Sequence, residues 1–180
     1  MMLAKKYNFF TIGALLISLA SPWALAEGSP DLLGNDLFTT ADKVSINSRG
    51  VDNAFVMART VDLNQVVSGS VHALAVDVAI NSDVGNGVYA VGDSVSINAS
   101  VAQDVLIFGQ SLIVSSPIGG DLRGVGDSIT IDGLVAGDIQ FAGQSIILNS
   151  LVNGSAAFAT DNLSFGPSAQ IKGDLILYAE

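Results

Sequence analysis

A period of 17 residues runs from Gly34 to Ile171, through eight units with two extra residues in the last, and it leaves few architectures open. A unit this short cannot enclose a core alone, so each is expected to be one coil of a solenoid buried by its neighbours. The clearest units are 102–118, 119–135 and 136–152. The same frame runs back to Gly34, and forward to Ile171, where Gly166-Pro167-Ser168-Ala169 absorbs the two extra residues. A partial coil begins at Lys172.

Stacking the units gives columns. Val44, Val61, Val78, Val95, Leu112, Ile129, Ile146 and Leu163 form one, and two residues later Ile46, Leu63, Ile80, Ile97, Val114, Ile131, Leu148 and Phe165 form another. A spacing of two with β-branched residues predicts an inward-facing strand. A second inward strand begins at Leu37, Ala54, Val71, Val88, Val105, Leu122, Ile139, Ala156 and Leu175. Val67, Val84, Val101, Ile118, Val135, Val152 and Ile171 mark a third side. The expected fold is all-β: a parallel β-helix of about eight coils, three short strands per coil, stacked about 4.8 Å apart around a triangular core.

The corners carry their own pattern. Gly92, Gly109, Gly126 and Gly143 predict positive φ at one corner. Asn47, Asn64, Asn81, Asn98, Ser115, Asp132 and Asn149 predict an amide ladder at the next, with tolerance of left-handed backbone. A second polar column includes Asp104, Asp121 and Asp138, one coil apart. Three stacked carboxylates repel unless solvated, protonated or bridged, so they are either solvated turn residues or a weak Ca2+ site of oxygen ligands, the one cofactor the sequence offers. The outward residue of the first strand reads Phe38, Phe55, His72, Tyr89, Leu106. An aromatic stripe facing solvent is an expected interface, unless a register shift turns it inward.

Residues 1–26 read as a signal peptide: Lys5 and Lys6 precede an apolar run from Phe9 to Ala20, Pro22 breaks it, and Ala24-Leu25-Ala26 fits cleavage before Glu27. A retained anchor would need about 20 apolar residues and a different flank. The expected organisation is signal peptide 1–26, N-terminal cap segment 27–33 and β-helix domain 34–180, exported to the periplasm or cell exterior with no membrane span after cleavage. The chain has no Cys, so disulfides do not stabilise it. Cleavage removes two of seven basic residues and none of seventeen acids, taking the formal charge from −10 to −12. Such a chain is a poor partner for nucleic acid.

The run Gly119-Gly120-Asp121-Leu122 and Ser128 to Ile139, with its apolar alternation punctuated by Gly-Asp, resembles the bactofilins, bacterial polymer-forming cytoskeletal proteins. The likeness is good over 85–152 and confined to the apolar columns elsewhere. It implies a right-handed β-helix whose end coils stack between subunits into nucleotide-free filaments that act as a scaffold. The export signal departs from that family's cytoplasmic habit.

Together these readings favour a non-enzymatic exported scaffold that associates with itself, as homo-oligomer or filament, through terminal coils. Leu175, Leu177 and Tyr178 are the expected contact residues at the open C-terminal coil. The alternative is a glycan- or envelope-binding, adhesin-like module using the aromatic stripe. Enzymes on β-helices need convergent acids, bases or a metal on protruding loops. Here His72 is the only histidine, and every carboxylate fits the repeat. A coil of 17 does not divide by six, which disfavours a left-handed acyltransferase helix, and no T-x-T ladder supports ice binding.

Overall fold

The computed structural model describes residues 31–47 and 49–178. The expected signal peptide, the first four residues of the cap segment and the last two residues lie outside them. The described residues form fourteen strands and no helix: β1 Asp31–Leu33, β2 Asp36–Ile46, β3 Ala54–Leu63, β4 Val71–Leu74, β5 Asp77–Ile80, β6 Val88–Val91, β7 Ser94–Ile97, β8 Val105–Val114, β9 Leu122–Ile131, β10 Ile139–Leu148, β11 Leu151–Val152, β12 Ala156–Phe165, β13 Gln170–Ile171 and β14 Leu175–Tyr178. From β2 onward every pairing is parallel, and from coil to coil partners lie 17 residues apart, as in Ile129 with Ile146 and Leu122 with Ile139. The departures lie at the two ends, where Val51 bridges Val67, one residue short of the period, and Ala156 pairs with Leu175 across the insertion. The protein is a β-solenoid of about eight coils.

Each coil has two full sides. Side one carries residues such as Leu122–Val125, side two residues such as Ser128–Ile131, and one bent strand spans both in most coils. The third side is thinner than expected. It is a line of single parallel bridges through Val67, Val84, Val101, Ile118, Val135 and Val152, widening to two residues only where β11 meets β13. One residue per coil suffices there because the chain turns on both sides of it, leaving no length for a strand. In the first coil Val51, rather than Gly50, takes this place and bridges Val67.

The core follows from the inward columns. Val61, Leu63, Val95, Ile97, Leu112, Val114, Ile129 and Ile131 are fully buried, and the third-side Val67, Ile118, Val135 and Val152 close the triangle. A further inward position on side one varies in size: Ile107, Gly124, Phe141 and Phe158. A side chain on Gly124 would collide with the Phe141 ring, so the small residue admits the large one above it.

Two corner expectations are corrected. Gly92, Gly109, Gly126 and Gly143 do not adopt positive φ; among the described residues only Gly34 and Gly50 do, at 68° and 80°. The corner glycines answer to close approach instead. A Cβ on Gly109 would strike the carbonyl oxygen of Gly92, and one on Gly143 that of Gly126. Likewise no asparagine among the described residues uses left-handed backbone.

The two ends differ. Leu37, Val44 and Ile46 of the first coil are 3–8% exposed. There β1 folds back antiparallel on β2, setting Leu33 opposite Asp36 across a two-residue turn for which Gly34 supplies the positive φ. At the other end the same inward columns finish in Phe165, Leu175 and Leu177, exposed at 50%, 44% and 56%.

Candidate functional site

Three polar or aromatic ladders and one open end are the features from which a function can be built. The amide ladder forms on the side-two corner: Asn64 Nδ2 donates to Asn47 Oδ1 at 3.4 Å, Asn81 to Asn64 at 3.3 Å and Asn98 to Asn81 at 2.9 Å. The ladder is interrupted at Ser115 and resumes where Asn149 Nδ2 donates to Asp132 Oδ1 at 3.2 Å. Asn64, Asn81 and Asn149 each use a donor downward and an acceptor upward, as only a side chain carrying both can.

The carboxylate column does something different. Asp104 Oδ1 accepts the Asp121 N–H, Asp121 Oδ1 accepts the Asp138 N–H, and Asp138 Oδ1 accepts the Ser155 N–H, each at 2.8 Å. Ser155 Oγ passes the pattern to the Asp174 N–H at 3.1 Å. At the front Asn53 Oδ1 does the same for the Ser70 N–H at 2.9 Å. Each side chain therefore caps a corner amide of the next coil, whose N–H the sheet leaves unpaired. This explains the Gly-Asp phrase: a Cβ on Gly120, Gly137 or Gly154 would fall on the Oδ1 of Asp104, Asp121 or Asp138 respectively. Asp121 Oδ2 is paired with Arg123. Among the described residues no three His, Asp or Glu side chains converge as a metal-binding group.

The stripe Phe38, Phe55, His72 and Tyr89 faces outward. Its rings stack one on the next with centroids 4.8, 4.7 and 4.9 Å apart and planes turned by 3°, 5° and 8°. Ring faces are thus turned to neighbouring rings, and ring edges meet solvent. A parallel outward column two residues along was not singled out from the sequence. It holds Met57, Val91, Phe108 and Val125, exposed at 54%, 39%, 38% and 43%. The signal was present, since residues two apart on a strand share a face. Side one is therefore apolar outside as well as inside.

At the C-terminal end β14 pairs with β12 along one edge only, and Leu175, Ile176, Leu177 and Tyr178 are 44–59% exposed. The expected contact residues thus all lie in an edge strand with an unpaired row of backbone groups among the described residues. Side two is more mixed: one outward column runs through Thr60, Asp77, Ser94 and Ser111, and the other through Asp62, Ala79, Ser96, Ile113, Thr130 and Ile147, with Ile113 and Ile147 exposed at 40% and 42%. A shallow hollow beside Gly50, of about 320 Å³, has Arg49 as its one ionisable lining group. No helix among the described residues is long and apolar enough to cross a membrane. Comparison with protein-family models, curated proteins and solved structures finds no match to this chain.

Proposed function

We propose that the chain is a non-enzymatic, exported structural scaffold that joins to itself through its C-terminal coil. The observation that carries this is the inequality of the two ends. The inward columns are buried at the first coil and open at the last, where β14 offers an unpaired edge bearing four exposed apolar side chains. Such an edge pairs with another chain unless something covers it. Two copies meeting tail to tail would align β14 with its counterpart about a two-fold axis and bury Leu175, Leu177 and Tyr178 of both. An isologous contact of this kind closes at two; growth into filaments, as the likeness to bactofilins implies, needs a second contact.

The alternative of a glycan-binding module draws on the aromatic stripe. Stacking a sugar requires a free ring face, and in this ladder both faces of Phe55 and His72, and one face each of Phe38 and Tyr89, are covered by other rings. That geometry favours the scaffold.

Sedimentation velocity at tens of micromolar tests the reading. The unaltered chain is expected to associate, and Leu175→Asp with Leu177→Asp to sediment as a monomer with an unchanged β-sheet spectrum. Identical sedimentation of the two would overturn it.

A further inference from the structure

Two of the asparagines are followed by glycine, in Asn86-Gly87 and Asn153-Gly154. Such a pair is open to self-modification: the glycine amide nitrogen attacks the asparagine Cγ, a nitrogen–carbon bond forms, ammonia leaves, and water then opens the five-membered imide to aspartate or isoaspartate. Glycine permits the approach because it has no Cβ to obstruct it. By sequence the two pairs are equal. The fold separates them.

Asn86 and Gly154 share a column, four repeats apart, so the two pairs stand one residue out of phase. Gly154 N–H donates to the Gly137 carbonyl oxygen at 3.1 Å, in the same row of corner bonds in which Asn86 N–H donates to Gly69 at 2.9 Å. Its nitrogen is therefore held. Gly87 falls one residue further on, in the column whose amides are capped by side chains of the preceding coil, as Ser70 is by Asn53 and Asp121 by Asp104. Among the described residues the Gly87 N–H has no acceptor.

The cause lies in the local sequence. Glycine stands just before the capped residue at 69, 120, 137 and 154, where a Cβ would fall on the capping oxygen. Only Asp36 reaches its amide, that of Asn53, past a residue with a side chain, Asp52. At 86 an asparagine stands in the glycine's place, and Ser70 makes no bond to Gly87. Gly87 is buried, so an unpaired N–H there is costly to keep, and ring closure replaces it with a nitrogen–carbon bond. Asn86 is exposed, and its one side-chain hydrogen bond is long, accepted from Gln103 Nε2 at 3.4 Å. Ammonia can leave there and water can enter.

We propose that Asn86 is a site of spontaneous deamidation in the folded chain, and that Asn153 is protected by the bond its following amide makes. Each event consumes one water and releases one ammonia. Isoaspartate carries the chain through its side-chain carbonyl, which adds one methylene to the backbone. Three residues link the third-side bridge to side one in this coil and the next, 85–87 between Val84 and Val88 and 102–104 between Val101 and Val105. A longer link in one coil alone breaks the common spacing, so the Val84 bridges and the Val88 pairs cannot both be kept without strain. Ageing at Asn86 therefore loosens the rod near its middle.

The mature chain, kept folded in mildly alkaline buffer and sampled over weeks, is compared with the same chain in concentrated urea, and peptide mapping by mass spectrometry follows aspartate and isoaspartate at both sites. In urea the two pairs are expected to react at similar rates. Folding should slow Asn153 at least tenfold more than Asn86, and the melting temperature should fall as isoaspartate accumulates at 86. Asn86→Gln, an exposed change that would require a six-membered ring, should hold its melting temperature over the same period. Equal folded rates, a faster Asn153, or an Asn86→Gln chain that ages like the unaltered one would each overturn the proposal.

Discussion

Replacing Asp121 by Asn or by Ala distinguishes a capping ladder from a charge site. Asp121 Oδ1 accepts the Asp138 N–H at 2.8 Å, and its side chain is 29% exposed. Alanine removes that acceptor, leaving a partly hydrated amide without its partner, at a cost of about 1–2 kcal/mol. Asparagine keeps a carbonyl oxygen in the same place, as Asn53 already does in the second coil, where its Nδ2 also donates to Asp36 Oδ1 at 2.9 Å. Both substitutions remove two like-charge contacts, with Asp104 and Asp138. At about 4.8 Å and with water-like screening each is worth at most ~0.9 kcal/mol. Both substitutions lose the exposed Arg123 pair, worth about 0–1 kcal/mol, so that loss cancels between them. Asn should therefore be neutral to about 1 kcal/mol stabilising, and Ala, which lacks only the acceptor by comparison, should lie about 1–2 kcal/mol below it. Urea denaturation at low salt, repeated with millimolar calcium, reads both quantities. If Asn costs as much as Ala, the negative charge and not the acceptor oxygen is what the column supplies. A calcium-dependent gain in the unaltered chain that Asn abolishes would establish the weak calcium site instead.

Ile131→Ala, at a fully buried position in a central coil, should cost about 2–5 kcal/mol by leaving a cavity, while Ser128→Ala on the exposed face should cost under about 0.5 kcal/mol in the same titration. Ser150 Oγ is buried at 4% exposure without a hydrogen-bond partner. Ser150→Ala should therefore leave the melting temperature equal or raise it, since no hydrogen bond is lost. Mass spectrometry of the envelope fraction should find a mature N-terminus at Glu27-Gly28-Ser29-Pro30; intact Met1 recovered from the cytosol would refute export.

The solenoid was legible because its energetics are repetitive. A residue buried in one coil has its counterpart buried in the next, so hydrophobicity recurs at a fixed period and inward columns such as Val61, Val78 and Val95 can be read by stacking the sequence on itself. The same logic put the asparagines in a ladder and Phe38, Phe55, His72 and Tyr89 in one column, whose outward direction held only if no register shift turned it inward. What the sequence left undecided depended on distances between coils. Glycine at 109 or 143 is as consistent with positive φ as with a neighbouring carbonyl lying where Cβ would stand, and only the stacked backbone chooses the latter. On the sequence alone Asp104, Asp121 and Asp138 could be solvated turn residues or weak calcium ligands, and the folded chain adds that each Oδ1 accepts an amide of the next coil. The aromatic stripe could offer ring faces or ring edges, and the 4.7–4.9 Å stacking leaves Phe55 and His72 only their edges. The third side shrank to single bridges for a reason no column displays: the corners consume the residues a strand would need. Periodicity thus determined which side chains share a face, and the coil spacing of the folded chain determined what those side chains do to one another.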